Sequence, residues 1–175
     1  MDLWSNQLIQ KTVSTNAEKF FVKCRPKVSP KNSASYDSVR QSVVILMGSL
    51  ARHLEPTDPR IKPIVKKLIE ALSTPSQQVQ EAVANCLPPL VNSVKDEAQP
   101  ICKRLLKKLL DSDNYGERKG AAYGLAGMIK GLGILTLKQF EIMASLTNAI
   151  QNKKNYKHRE GALLALQELV NMLGK

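Results

Sequence analysis

Residues able to do chemistry are few in this chain, and their spacing argues against catalysis. The histidines are His53 and His158. Neither has a Cys, Asp or Glu at the helical spacing a metal site needs, and no Ser or Cys nucleophile pairs with either, so both read as surface residues. The cysteines Cys24, Cys86 and Cys102 are odd in number, far apart and without a CxxC pair, which excludes a disulfide framework and a zinc knuckle and fits a reducing compartment. Glycine recurs at 120, 124, 127, 131 and 133, but no GxGxxG and no Gly-Lys-Ser/Thr occurs there. Small residues every third or fourth position line one side of a helix, so this stretch is expected to pack against another backbone and not to cradle phosphate. No catalytic residue, metal site or cofactor is expected.

The cations are more informative. Lys plus Arg number 26 against 15 Asp plus Glu, a formal charge of +11 that favours an anionic partner. Around Ile101, Leu105 and Leu109, a 100° rotation per residue puts Lys103, Arg104, Lys107 and Lys108 on the half of a helix opposite the leucines. Lys62, Lys66 and Lys67 do the same on an earlier stripe, and Lys153, Lys154 and Lys157 crowd a turn. These ten residues are the candidate contacts to an anionic partner such as RNA, arranged as a basic ridge; the alternative is an ordinary solvated face. Arg40, Arg118 and Arg159 recur at one position of a repeat, with Gln80 in the second copy and Asp37, Asp111 and Asp113 shortly before two of them. A structural ladder of Arg to carboxylate bonds between neighbouring units is expected.

The elements holding these groups follow from composition and periodicity. The chain has 175 residues, 43% hydrophobic and 5% aromatic, enough to bury a core and suited to helices packed through aliphatic side chains. Four segments align, starting at Val39 (VRQSVVILMGSL), Val79 (VQEAVANCLPPL), Glu117 (ERKGAAYGLAGM) and His158 (HREGALLALQEL), with offsets of 40, 38 and 41 residues. Ser42, Ala82, Gly120 and Gly161 share a small-residue column, and Met47, Leu87, Leu125 and Leu166 an apolar one. A second apolar stripe precedes three of the segments, so each unit is a helix pair, at the period of HEAT and armadillo repeats. The expected fold is all-α: an α-solenoid of about three and a half HEAT helix pairs over residues 36–175, preceded by an unaligned segment 1–35 that is partly helical or flexible. Leu3, Trp4, Leu8 and Ile9 suggest one amphipathic helix there, and residues 24–38 a linker.

Punctuation places the second unit's helices at about 59–73 and 75–94. Asp58-Pro59 reads as an N-cap with proline in the first turn, and Thr74-Pro75-Ser76-Gln77 as a capping box. Pro88-Pro89 must kink or end the second helix early. No signal peptide or membrane span is read, so a soluble intracellular protein is expected. A solenoid cut from a longer array leaves apolar ends, and self-association through them is expected.

ERKGAAYGLAGMIKGLGI closely resembles a stretch of the giant HEAT-repeat translational activator of general amino-acid control, and VRQSVVILMGSLARHL, KLIEALSTPSQQVQEAVANCLPPLV and KNYKHREGALLALQELVNMLGK resemble the same region in the same order. The resemblance covers about residues 36–175. It implies a cytoplasmic, non-enzymatic scaffold that binds ribosomes and supports activation of the starvation kinase acting on initiation factor two alpha, within the region similar to the HEAT domain of elongation factor three. The family's kinase-binding region has no counterpart here. Two other classes compete: a protein-only adaptor of the transport-receptor or phosphatase-scaffold type, and a DNA-repair enzyme on HEAT-like helices. The last lacks aromatic lining, since the only Trp is Trp4.

Overall fold

The computed structural model describes residues 33–174. The expected helix of the first ten residues lies outside them, as do most of the expected linker and the apolar Phe20-Phe21-Val22. Eight α-helices follow in the described residues: α1 (Ser33–Ala51), α2 (Ile61–Ala71), α3 (Gln77–Cys86), α4 (Lys95–Asp111), α5 (Tyr115–Leu132), the short α6 (Thr136–Gln139), α7 (Ile142–Gln151) and α8 (Tyr156–Leu173), with a 3-10 turn at Val91–Val94 before α4. Helix α1 begins at Ser33, so residues 33–38 are helical and not the loop their serines suggest. The molecule is an α-solenoid of two layers. Helices α1, α3, α5 and α8 pack successively on one another, and α2, α4 and α7 form the second layer against them.

Small residues set the spacing of the first layer. A Cβ on Gly127 would lie 2.7 Å from the Ala84 carbonyl oxygen, and one on Gly131 2.6 Å from that of Pro88, so α5 meets α3 backbone to backbone. Gly120 and Gly161 occupy the same repeat position, and a Cβ there would approach the Leu72 and Leu109 carbonyl oxygens to 1.9 and 2.3 Å. Gly120, Gly124, Gly127 and Gly131 thus form a packing surface, while Gly133, just past the helix at φ 94°, has no neighbour within 4 Å of where a Cβ would stand. Between the layers Leu68, Leu87, Leu105, Leu109, Leu125, Ile129 and Leu146 are fully buried, a single aliphatic core running the length of the array.

Local signals are weaker guides than the period. Helix α3 stops at Cys86, because the missing amide hydrogens of Pro88 and Pro89 cannot continue the ladder; the chain turns and resumes as the 3-10 segment. The N-cap of α3 is Ser76 and not the Thr74 that the expected capping box starts from, and Ser76 makes no side-chain cap bond. Asp58 does bond the backbone N–H of Arg60 at 2.9 Å, but Pro59 and Arg60 lie in a turn and α2 starts at Ile61. The Arg60 guanidinium beside Asp58 holds that carboxyl below its ordinary range.

Candidate nucleic-acid interface

On the second layer, α2 and α4 lie side by side, and the leucine stripe of α4 turns inward through Ile101, Leu105 and Leu109. The opposite half is therefore solvated, and Lys103, Arg104, Lys107 and Lys108 are all exposed. Lys66, Arg104 and Lys108 line one groove of about 150 Å³ whose apolar floor includes Ile69, Leu72 and Leu105, with Glu70 and Glu117 in its walls. Lys108 Nζ donates to Ser73 Oγ at 2.9 Å, a neutral acceptor that leaves its charge uncompensated. Glu70 accepts from Lys67 at 3.1 Å, whereas Glu117 accepts from the neutral Ser112 Oγ at 2.8 Å and keeps its charge, so three groove cations face one carboxylate without an ion pair among the described residues.

The remaining candidates divide. Lys62 sits in the first turn of α2 and is held by Asp96 at 2.7 Å and Glu97 at 3.1 Å from the first turn of α4, a cross-repeat ion pair. Those carboxylates raise the Lys62 ammonium above its ordinary range. Lys62 and Lys67 are thus already neutralised. Lys153 and Lys154 are exposed in the turn before α8 with no ion pair among the described residues. Lys157 Nζ, in the first turn of α8, bonds Asp113 in the turn before α5, which lowers that carboxyl and raises the lysine. The basic surface is consequently a free set on α2 and α4 plus a second set along the edge made by the turns within each pair.

That edge also carries the arginine column. Buried Arg118 donates from Nη1 to the carbonyls of Ser112 (2.9 Å) and Asp113 (3.3 Å) and from Nη2 to Glu160 of the next unit. Arg159 repeats the first half of this arrangement, donating to the carbonyls of Asn152 (2.7 Å) and Lys153 (3.0 Å). The side chain of Arg40 lies outside the described residues. Gln80 takes the same role in its unit: its amide donates to the carbonyls of Leu72, Thr74 and Gly116 at 3.3, 2.7 and 2.8 Å. The column therefore anchors turn carbonyls first, since these oxygens lie within the fold and need donors. Asp111 and Asp113, expected as the arginines' partners, face His158 (3.4 Å) and Lys157 instead. His158 is accordingly half-buried and not a lone surface histidine.

Charge counting alone does not find two further residues of this edge. Tyr115 and Tyr156 open α5 and α8 and are 49% and 62% exposed. Each follows an Asn that caps its helix: Asn114 Oδ1 accepts from the Glu117 amide, and Asn155 Oδ1 from those of Lys157 and His158. The sequence carries their signal as a recurrent Asn-Tyr-x-x-Arg, written NYGER and NYKHR. Among the described residues no three His, Cys, Asp or Glu side chains gather to hold a metal ion, and no helix is long and apolar enough to cross a membrane.

Comparison with known proteins supplies the family. Residues 118–175 match the EF3 N-terminal HEAT repeat, and residues 18–52 match the HEAT repeats of the stalled ribosome sensor GCN1, so similarity begins inside the segment that the repeat period leaves unaligned. The chain is 68% identical to the human stalled ribosome sensor GCN1 over 82% of its own length, 51% identical to Protein ILITYHIA of Arabidopsis thaliana over 80%, and 42% identical to the eIF-2-alpha kinase activator GCN1 of Saccharomyces cerevisiae over 82%. It spans about 5% of the length of each of these relatives. No solved structure matches it significantly. The sequence of this HEAT-repeat solenoid belongs to the GCN1 family.

Proposed function

We propose that the chain is a non-enzymatic HEAT scaffold that associates with ribosomes in the cytoplasm, as one section of the surface through which GCN1-type proteins sense stalled ribosomes and support activation of the initiation factor two alpha kinase. One observation carries the reading: in a segment 68% identical to a protein named for sensing stalled ribosomes, Lys66, Lys103, Arg104 and Lys107 stand exposed with no ion pair among the described residues. Such cations neutralise phosphate without having to break an internal partnership first. On this reading the contribution of this segment is attachment, and engagement of the kinase is assigned to other parts of the longer relatives.

The test is sedimentation of the purified chain with ribosomes across a salt series. Replacing Lys103, Arg104, Lys107 and Lys108 by alanine should weaken binding and flatten the dependence of log K on log salt by about 0.7 to 0.9 for each phosphate no longer neutralised. Replacing Lys11, Lys19, Lys23 and Lys27 removes equal charge elsewhere and should cost less. Equal losses from both variants would reduce the effect to net charge, and a chain that does not sediment with ribosomes at low salt would end the reading. Binding that persists at high salt and follows apolar substitutions would point to the protein-only adaptor.

A further inference from the structure

Among the described residues, the aromatic side chains with large exposed area are Tyr115 and Tyr156, in a chain that is only 5% aromatic. They occupy one repeat position, 41 residues apart, and each is the first residue of its helix. Their turns are in contact: Lys157 bonds Asp113, His158 Nε2 lies 3.4 Å from Asp111, and Arg118 bonds Glu160. The two rings therefore stand on neighbouring units of one edge.

Their exposure is a property of the position and not of an open end. Helix α8 is already packed on α5, yet Tyr115 stays half exposed. Leu163 and Val170 of α8 differ in this respect, because their counterparts Ala122 and Ile129 on α5 are completely covered. A following unit would bury the leucine and the valine and leave the tyrosine in water.

The electrostatics beside the rings suit an anion. Asp113 and Glu160 are paired with Lys157 and Arg118, and Asp111 faces His158, whereas Lys153 and Lys154 are free of ion pairs among the described residues. Lys119 donates to the neutral Gln77 Oε1 at 2.7 Å and keeps its charge. The Arg118 guanidinium lies 5.7 Å from the Tyr115 ring centroid, bracing one side of that ring. Flat exposed rings interleaved with free cations are the equipment for single-stranded nucleic acid, whose unpaired bases stack on aromatics while lysines follow the phosphates.

We propose that this edge binds single-stranded RNA, with Tyr115 and Tyr156 as stacking platforms for bases and Lys153, Lys154 and Lys119 on the backbone. The proposal rests on the ribosome reading for its biological setting, and the chemistry is tested apart from it. The probe is a fluorescein-labelled 12-mer oligouridylate, read by anisotropy with the full 175-residue chain, beside a 12-base-pair RNA duplex. The native chain should prefer the single strand. Tyr156→Phe should bind as the native chain does, and Tyr156→Ser should lose about fivefold or more with an unchanged salt slope, since every phosphate contact is kept. Replacing Lys153 and Lys154 by alanine should instead flatten the slope. Circular dichroism of each variant checks the fold. Tyr156→Ser binding the single strand as tightly as the native chain, or a native preference for duplex, would overturn the proposal. If the chain sediments with ribosomes while ignoring the oligouridylate, the stacking edge falls and the ribosome reading stands; tyrosine-dependent binding of the oligomer by a chain that ignores ribosomes gives the reverse.

Discussion

Replacing Gly120 by alanine isolates the force that sets the spacing of the solenoid. In the middle of a helix this change ordinarily stabilises by about 1 kcal/mol, because alanine has less backbone freedom to lose. Here the new methyl would sit 1.9 Å from the carbonyl oxygen of Leu72 and 3.0 Å from Gln80 Nε2. Contacts of Cβ under 3.0 Å are essentially never seen, so α5 and the end of α2 must part by about 1 Å. Both obstacles are held in place: the oxygen is main chain, and the amide is fixed by its bonds to Leu72, Thr74 and Gly116. Overpacking of a rigid core costs about 1–3 kcal/mol and occasionally more, and a backbone clash belongs at the upper end. Set against the propensity gain, a net loss of about 2 kcal/mol is expected. For a chain of this length that lowers the thermal midpoint by about 4–8 °C. Thermal unfolding followed by circular dichroism at 222 nm is the assay, with exposed Lys130→Ala on the same helix as control, expected within about 0.5 kcal/mol of the native chain. A Gly120→Ala midpoint at or above the native one would refute the reasoning, since propensity alone would then govern the position.

Arg118→Ala should cost about 2–3 kcal/mol in urea unfolding, because the carbonyls of Ser112 and Asp113 are left without their donor and the half-exposed Glu160 without its partner; a loss under 0.5 kcal/mol would mean that water replaces the guanidinium freely. Leu163→Ser with Val170→Ser should leave stability nearly unchanged, these side chains being 58% and 70% exposed, but should suppress concentration-dependent self-association in sedimentation velocity; an unchanged distribution of species would locate the sticky surface elsewhere. Burial pushes the Cys102 thiol up to about 12, so at pH 8 about one part in ten thousand is thiolate. In a variant with Cys24 and Cys86 replaced by serine, Cys102 should react with a disulfide reagent only as fast as the chain unfolds, and rapid labelling of the folded protein would contradict its burial.

Repetition, not local signalling, makes the fold legible in the sequence. Four copies of the pair's second helix put the small column Ser42, Ala82, Gly120 and Gly161 in register, and a helix that must approach its neighbour's backbone admits little else there. Rotation by 100° per residue likewise separates Lys103, Arg104, Lys107 and Lys108 from the leucines of α4 on sequence spacing alone. Single caps carry less weight, since Ser76 makes no side-chain cap bond and the turn is held by Gln80, whose amide donates to the carbonyls of Leu72 and Thr74. Contacts between units are invisible in the sequence for a different reason. Which cations are free depends on carboxylates far along the chain: Asp96 and Glu97 neutralise Lys62, and Asp113 holds Lys157, while Lys66 and Arg104 meet in one groove unpaired. Helical periodicity tells a side chain's direction from its own axis and nothing about the neighbouring helix, so the amino-acid sequence determined the repeat, the packed faces and the positive half of α4. Stacking of the units decided the charges left over, and it set Tyr115 beside the turn of Tyr156, because only the packing of α8 on α5 brings residues 41 positions apart to one edge.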